Sequence, residues 1–281
     1  MDPRRITSTA NPRLKDALRL RGRRERDETG LTLIDGARET MRALAGGAKV
    51  REAFVSAQYC TDDECRAALA ALRQAGVRMW ELGPEAFARL AYGDRLDGIV
   101  AVAETPLHRL ADLDLPPNAL VAVIEGVEKP GNLGAVLRTA DGAGVSAVIV
   151  AEPNTDLLNP NVIRASLGTI FAVPVAVAST GDVLEFLKAR GLAIVAARVQ
   201  ASVDYTQFDY TGPTAIALGS EARGLSDAWA ELADVSVHIP MLGVADSLNV
   251  SATAAILFYE ARRQRAAGGG TPRAATRRER R

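Results

Sequence analysis

Residues 119–152 read ALVAVIEGVEKPGNLGAVLRTADGAGVSAVIVAE, and this stretch decides the fold class. Two apolar runs, ALVAVIEG and SAVIVAE, flank a Gly-rich turn and a helical segment, NLGAVLRTADGAG. Neither run alternates polar with apolar residues, as expected of strands whose two faces are both covered by helices. The same rhythm continues downstream. A helix is predicted near Asn161 to Gly168, then a strand at FAVPVAVA, a helix at GDVLEFLKARG and a strand at LAIVAARV. TAIALG and VSVHIP read as further strands, separated by the loop SEARGLS. A long helix is expected from Asp246 to about Gln264, with Asp246 or Ser247 as its N-cap.

Upstream the pattern is again α/β. A helix begins near Asn11. LTLIDG, VREAFVS, VRMWELG and GIVAVAE read as strands, interleaved with helices at ARETMRALAGG, CTDDECRAALAALRQAG and PEAFARLAY. That alternation predicts a compact unit with a partly parallel sheet. Between the halves, TPLHRLADLDLPPN carries three prolines and little periodicity and reads as a linker. The expected organisation is a domain over 1–105, a linker at 106–118, a second domain over 119–264 and a disordered basic tail at 265–281. A length of 281 residues accommodates two domains.

The formal charge is zero, from 34 basic and 34 acidic side chains, but the charges are segregated. Residues 1–28 carry nine Lys or Arg against five acidic groups, and residues 261–281 carry eight Arg against Glu279 alone. The body between is therefore acidic, with 17 basic and 28 acidic residues. Basic ends on an acidic body suit a protein that meets a polyanion locally; solvated, passive ends are the alternative. With no apolar run of about 18 residues and no signal-peptide core, the chain is expected to be intracellular, cytoplasmic and free of membrane contact. Cys60 and Cys65 fit neither a disulfide scaffold nor a zinc site, and an incidental structural role is expected. No metal cluster is expected.

Three loops at strand ends stand out, because ligands of open α/β sheets collect there. The first, EGVEKPGNLGAVLRTA, has neither GxGxxG nor GK[ST], so it is a ligand-binding turn of another kind or an ordinary connection. Asn132 lies near the helix start as a possible cap, and Arg138 interrupts a small-residue helix, facing a ligand or pairing with Asp141. The second loop, LGSEARGLS, fails the GxSxG pattern and has no histidine placed beside Ser220, which argues against a serine hydrolase. Glu221 caps the next segment or faces a ligand. In the third, IPMLGVADSLNVSATAAILFYE, Ser247, Asn249 and Ser251 put polar groups at a helix start, where N–H donors are unsatisfied. Val250, Ala254, Leu257 and Ala261 form its buried stripe.

Taken in order, Asn132, Gly134 and Arg138 in NLGAVLRTA, then LGSEARGLS, then the SLNVS-bearing segment resemble the SpoU/TrmH branch of the SPOUT RNA methyltransferases. In the first half ITSTANPRLK, RLRGRRER, IDGARE and GIVAVAE are similar to that family's substrate-binding domain, with Asp35 where Glu is common. The resemblance implies a small L30e-like substrate-binding domain followed by a SPOUT α/β domain with a C-terminal trefoil knot, in place of an open doubly wound sheet. It implies a homodimer built through the first- and third-motif helices. It also implies S-adenosylmethionine as cofactor, held at Leu218, Gly219, Ile239, Met241 and Leu248.

The implied reaction is methyl transfer to a ribose 2′-hydroxyl of RNA, with 23S ribosomal RNA ahead of transfer RNA. A transfer-RNA enzyme and a non-catalytic RNA-binding relative are the alternatives. Arg138 is the implied activating residue, while Asn132, Glu221, Ser247 and Asn249 shape the pocket. A guanidinium with a pKa above about 12 is a poor base. The expected role of Arg138 is to bind an RNA phosphate and polarise the hydroxyl.

Overall fold

The computed structural model describes residues 4–93 and 96–267 and divides into two compact units. One comprises the chain up to Pro106 together with Asp156–Ala172; the other comprises Leu107–Thr155 and the chain from Val173 onward.

The first unit is built on β1 (Arg4–Ile6), β2 (Leu31–Asp35), β3 (Val50–Val55), β4 (Arg78–Leu82) and β5 (Ile99–Glu104), in the order β1-β4-β3-β5-β2. β4 runs parallel to β1 and β3, and β5 antiparallel to β3 and β2, so the sheet is partly parallel as its pattern predicts. Its helices are α1 (Pro12–Arg19), α2 (Arg23–Thr29), α3 (Ala37–Ala45), α4 (Asp63–Gln74) and α5 (Pro84–Leu90). α1 starts where the sequence signals it: Asn11 Oδ1 accepts from the Arg13 amide at 2.9 Å and Pro12 takes the first helical position. Leu14, Phe54, Trp80, Phe87 and Leu90 pack in one buried cluster.

The cysteines depart from expectation. Cys60 and Cys65 form a disulfide, with their Cα atoms 5.4 Å apart. Asp62, between them, caps α4 by accepting from the Cys65 amide at 2.7 Å, and this turn brings the two thiols together. Spacing alone hid the pair because the approach is made by a capped turn, not by a cysteine motif.

The second unit carries β6 (Leu107–His108), β7 (Leu120–Glu125), β8 (Ala147–Ala151), β9 (Val175–Ala178), β10 (Ala193–Ala197), β11 (Val203–Asp204), β12 (Thr214–Leu218) and β13 (Val235–His238). Their order is β11-β13-β10-β12-β7-β8-β9-β6, and every described pairing is parallel. Its helices are α6 (Pro130–Ala143), α8 (Thr180–Ala189), α9 (Asp227–Leu232) and α10 (Val250–Ala267), while α7 (Pro160–Ala165) falls in the segment assigned to the first unit. β7, β8 and β12 are buried along their whole length, which explains their unalternating sequences. One face packs Val121, Ile149, Ile194 and Ala217 against Leu184, Leu187 and Trp229 of α8 and α9. α10 packs along α6 and reaches β12, although β13, the strand before it, lies two strands away from β12.

Four expectations about this half are corrected. The segment Asp156–Ala172, including α7, belongs to the first unit and not to a continuous 119–264 domain. Within that unit Asp156 pairs with the buried Arg26, and Arg42 Nη1 donates to the Leu167 carbonyl at 2.6 Å. The linker is partly structured: β6 pairs with β9, and Leu113 is buried. α10 starts at Val250, not Asp246; Asn249 Oδ1 accepts from the Ser251 amide at 2.9 Å and leaves Asp246 and Ser247 in the preceding loop. Arg265 is no tail residue but part of α10, with partners described below. The rest of the expected tail, 268–281, lies outside the described residues.

Candidate active site

The three loops converge at the C-terminal ends of β7, β10, β12 and β13. After β7 the chain turns at Gly126, whose φ of +65° favours glycine, and its amide donates to the Ala151 carbonyl at 2.9 Å. Pro130 opens α6, so Asn132 sits two residues inside the helix instead of capping it. Its side chain is thereby free to reach outward.

The second loop folds back on itself. The Gly224 amide donates to the Ser220 carbonyl at 2.9 Å and the Arg223 amide to Ser220 Oγ at 3.2 Å. Gly219 permits that closure, because a Cβ there would fall 2.0 Å from the Gly224 carbonyl carbon. The loop's exit is tied down by Glu125 at the end of β7. Its carboxylate accepts from the Ser226 amide at 2.7 Å, Ser226 Oγ at 2.9 Å and Thr180 Oγ1 at 2.6 Å. Burial alone pushes this carboxyl up, but those donors together hold it below the usual carboxylate range.

Between the second and third loops lies a cleft of about 290 Å³. Leu218, Gly219, Ile239, Met241 and Leu248 all line it, together with Glu221 and Ser247. Asn132 and Asn249 join from the rim: Asn249 Nδ2 donates to Asn132 Oδ1 at 3.2 Å, and Asn132 Nδ2 donates to Glu221 Oε1. One chain of hydrogen bonds therefore links all three loops. Asn249 serves twice, since its amide oxygen caps α10 while its amide nitrogen starts this chain.

Arg138 stands apart. It is exposed on α6 and does not line the cleft, and among the described residues it has no ion pair with Asp141. The loop before α10 is open, with Leu242 and Val244 essentially fully exposed. Sequence reasoning missed Arg198, Arg223 and Asp246, which also line the cleft. Arg198 follows β10 in a stretch, ARVQ, that carries no motif; only the parallel neighbours of β10 bring it to the site.

In the first unit, Tyr92 lies between two guanidiniums, with Arg21 and Arg164 centred 5.5 and 5.7 Å from its ring. Asp35 holds Arg21 through a 2.7 Å contact and accepts from the Tyr92 amide at 3.1 Å. Asp35, which departs from the common Glu, therefore has a structural task here.

Two family models match the chain: the SpoU rRNA Methylase family over residues 119–259 and the MRM3-like substrate binding domain over residues 11–101. The 23S rRNA (guanosine(2553)-2'-O)-methyltransferase RlmP of Bacillus subtilis strain 168 is 30% identical, over 92% of this chain and 99% of its own length. The 23S rRNA (uridine(2479)-2'-O)-methyltransferase of Streptomyces viridochromogenes is 34% identical over 94% of each chain. Among solved structures, an RNA 2'-O ribose methyltransferase is similar with a TM-score of 0.81 and 44% identity, covering 93% of this chain and 99% of that one. The SpoU methyltransferase AviRb of Streptomyces viridochromogenes, in complex with AdoMet, gives a TM-score of 0.81 at 30% identity over 91% of this chain and 98% of its own.

Proposed function

Because this chain belongs to the SpoU rRNA methylase family, we propose that it is an S-adenosylmethionine-dependent enzyme that methylates a ribose 2′-hydroxyl of RNA, with 23S ribosomal RNA as substrate. The observation that carries this reading is the hydrogen-bond chain from Asn249 through Asn132 to Glu221, which joins the three loops at the rim of the cleft.

The cleft suits the cofactor chemically. Leu218, Ile239, Met241 and Leu248 offer apolar surface that would suit an adenine, and Glu221 and Asp246 line the same cleft with carboxylates that would complement a cationic sulfonium. When bound, the cofactor would supply an electrophilic sulfonium methyl group, which passes to an oxygen nucleophile in line with the departing thioether, the hydroxyl proton being lost to solvent. The protein's own contribution is chiefly positional, holding the ribose hydroxyl on that line. Asn132, Glu221, Ser247 and Asn249 shape the pocket on the ribose side. Arg138 binds the neighbouring phosphate and polarises the hydroxyl, a task that suits a permanently charged fork better than proton abstraction does.

The active form is a homodimer packed through α6 and α10, which brings Arg138 of one copy towards the cleft of the other. The exposed Leu242, Val244 and Tyr259 support such a covered face. The C-terminal segment threads a trefoil knot around the cofactor loops, a reading supported by the step back from β13 to α10 beside α6 and β12. The first unit, L30e-like, recognises the RNA in the cytoplasm. No helix among the described residues is long and apolar enough to cross a membrane.

The test is transfer of a tritiated methyl group from S-adenosylmethionine to purified 23S ribosomal RNA and to transfer RNA, followed by mapping of the modified nucleotide. Label at one 2′-O position of 23S RNA is expected. Label in transfer RNA alone overturns the substrate assignment, and none in either overturns the activity.

A further inference from the structure

Arg198 is the first residue after β10 and is held to the cleft wall by its backbone. Its amide donates to the Val237 carbonyl at 2.9 Å and its carbonyl accepts from the Ala201 amide at 3.2 Å. The residue lines the same cleft as Leu218, Gly219, Ile239 and Leu248. Its Nη1 is buried and has no hydrogen-bond partner among the described residues. A buried donor on a charged group, left unpaired, is costly, because the water it gave up is replaced by nothing. Arg265, elsewhere in the unit, shows the ordinary outcome: its guanidinium donates to four carbonyls.

The cleft's other polar groups narrow what completes Arg198. Glu221 and Asp246 line it too and repel an anion from their own part of the wall. His238 is engaged, with Nδ1 3.0 Å from the Val203 carbonyl. Arg223 is exposed on its loop. An acceptor that completes Arg198 from the cleft it lines has to arrive on a slender ligand that enters it. A phosphate in an RNA backbone is flanked by sugars on both sides and does not fit that description.

Resting on the cofactor reading above, we propose that Arg198 binds the methionyl carboxylate of S-adenosylmethionine. The guanidinium fork matches a carboxylate. The acidic residues of the same cleft are then left to the cationic sulfonium and amino groups. Arg198 is on this view a specificity determinant for the amino-acid end of the cofactor, which none of the three motifs supplies.

Calorimetry on the full chain, without RNA, tests the assignment with two probes. S-adenosylhomocysteine keeps the carboxylate; S-adenosyl-3-thiopropylamine, its decarboxylated form, lacks it. The wild type is expected to prefer S-adenosylhomocysteine by about tenfold or more, the worth of one charge-assisted pair. Arg198→Ala abolishes that preference while binding the decarboxylated probe as the wild type does, which also shows that the variant is folded. Arg198→Lys retains part of the preference. Equal weakening of both probes, or no change in either, overturns the assignment. Failure of the wild type to bind S-adenosylhomocysteine at all overturns instead the cofactor reading on which it rests.

Discussion

The two ends of α10 use polar residues in opposite ways. At its start, Ser247 and Asn249 are exposed, and Asn249 is tied to Asn132 by one 3.2 Å hydrogen bond. At its finish, Glu260 is buried and accepts from Arg263 at 2.8 Å and from Gln264 at 2.8 Å. Gln264 in turn accepts from the Tyr210 amide at 2.9 Å and donates to the Phe208 carbonyl at 3.0 Å. Arg265 donates to the carbonyls of Tyr210, Asn118, Ala119 and Gly212. A helix clamped at one end can present the other to a ligand without losing its place. Polar groups at the finish are spent on the fold, and those at the start are left for chemistry.

The sharpest test of this contrast lies on the cleft side. Arg138→Ala is expected to lower methyl transfer by about 10²–10³-fold, the usual cost of removing a charge-stabilising donor, with cofactor affinity retained. Equal loss of cofactor binding in calorimetry breaks the division of roles. At the clamp the signature reverses. Arg265→Met should cost about 3 kcal/mol of stability in denaturant unfolding, because buried carbonyls lose charged donors, while cofactor affinity below the transition stays unchanged.

The clamp also predicts a pH dependence. The hydrogen bond from Arg263 holds the Glu260 carboxyl below its ordinary range, burial works against it, and Gln264 adds to the lowering. A carboxyl with a depressed folded pKa contributes stability that is complete above its unfolded value, roughly 4.3, and is lost as pH falls through the folded one. Glu260→Gln should therefore flatten the acid limb of a stability profile. An unaltered limb would assign the acid sensitivity to other groups.

Smaller effects separate the two tasks of Asn249. Asn249→Ala loses the cap and should cost about 1 kcal/mol in stability as well as activity. Asn249→Asp keeps an acceptor for the Ser251 amide but cannot donate to Asn132, so stability should hold while methyl transfer falls. If both variants retain transfer, the rim chain is only structural. The smallest expected change concerns the basic end. Truncation after Ala267, which spares Arg265, should reduce the salt slope of RNA binding by about 0.7–0.9 for each RNA phosphate that the end neutralises. An unchanged slope makes the end passive. A cut after Gln264 would confuse that measurement with the loss of the clamp.

Much of the second unit is legible from its sequence because its strands are buried on both faces and its helices are long. β7, β8, β10 and β12 read as apolar runs, and α6 and α8 as periodic segments closed by glycine. β1, β11 and α9 are not legible. They span three, two and six residues, too few for a period to declare itself. The start of α10 escapes the sequence for a related reason: Asp246, Ser247 and Asn249 are all capable caps, and only the fold decides which one meets a free amide. The excursion Asp156–Ala172 is equally hidden, since nothing in its composition marks a segment that packs on the first unit.

Of the candidate site, the sequence by itself determined the three loops, their order and the apolar and polar residues they offer. These features are local, and strand ends with glycine turns and capped helices can be read from a few neighbouring residues. The tertiary structure alone decided that Asn249, Asn132 and Glu221 share one hydrogen-bond chain, that Arg198 enters the cleft, and that Arg265 belongs to the fold and not to a basic tail. Those facts join residues 53 to 147 positions apart or depend on which strands are neighbours. A parallel sheet sets such distances by its strand order, and strand order is written in no single segment of the chain.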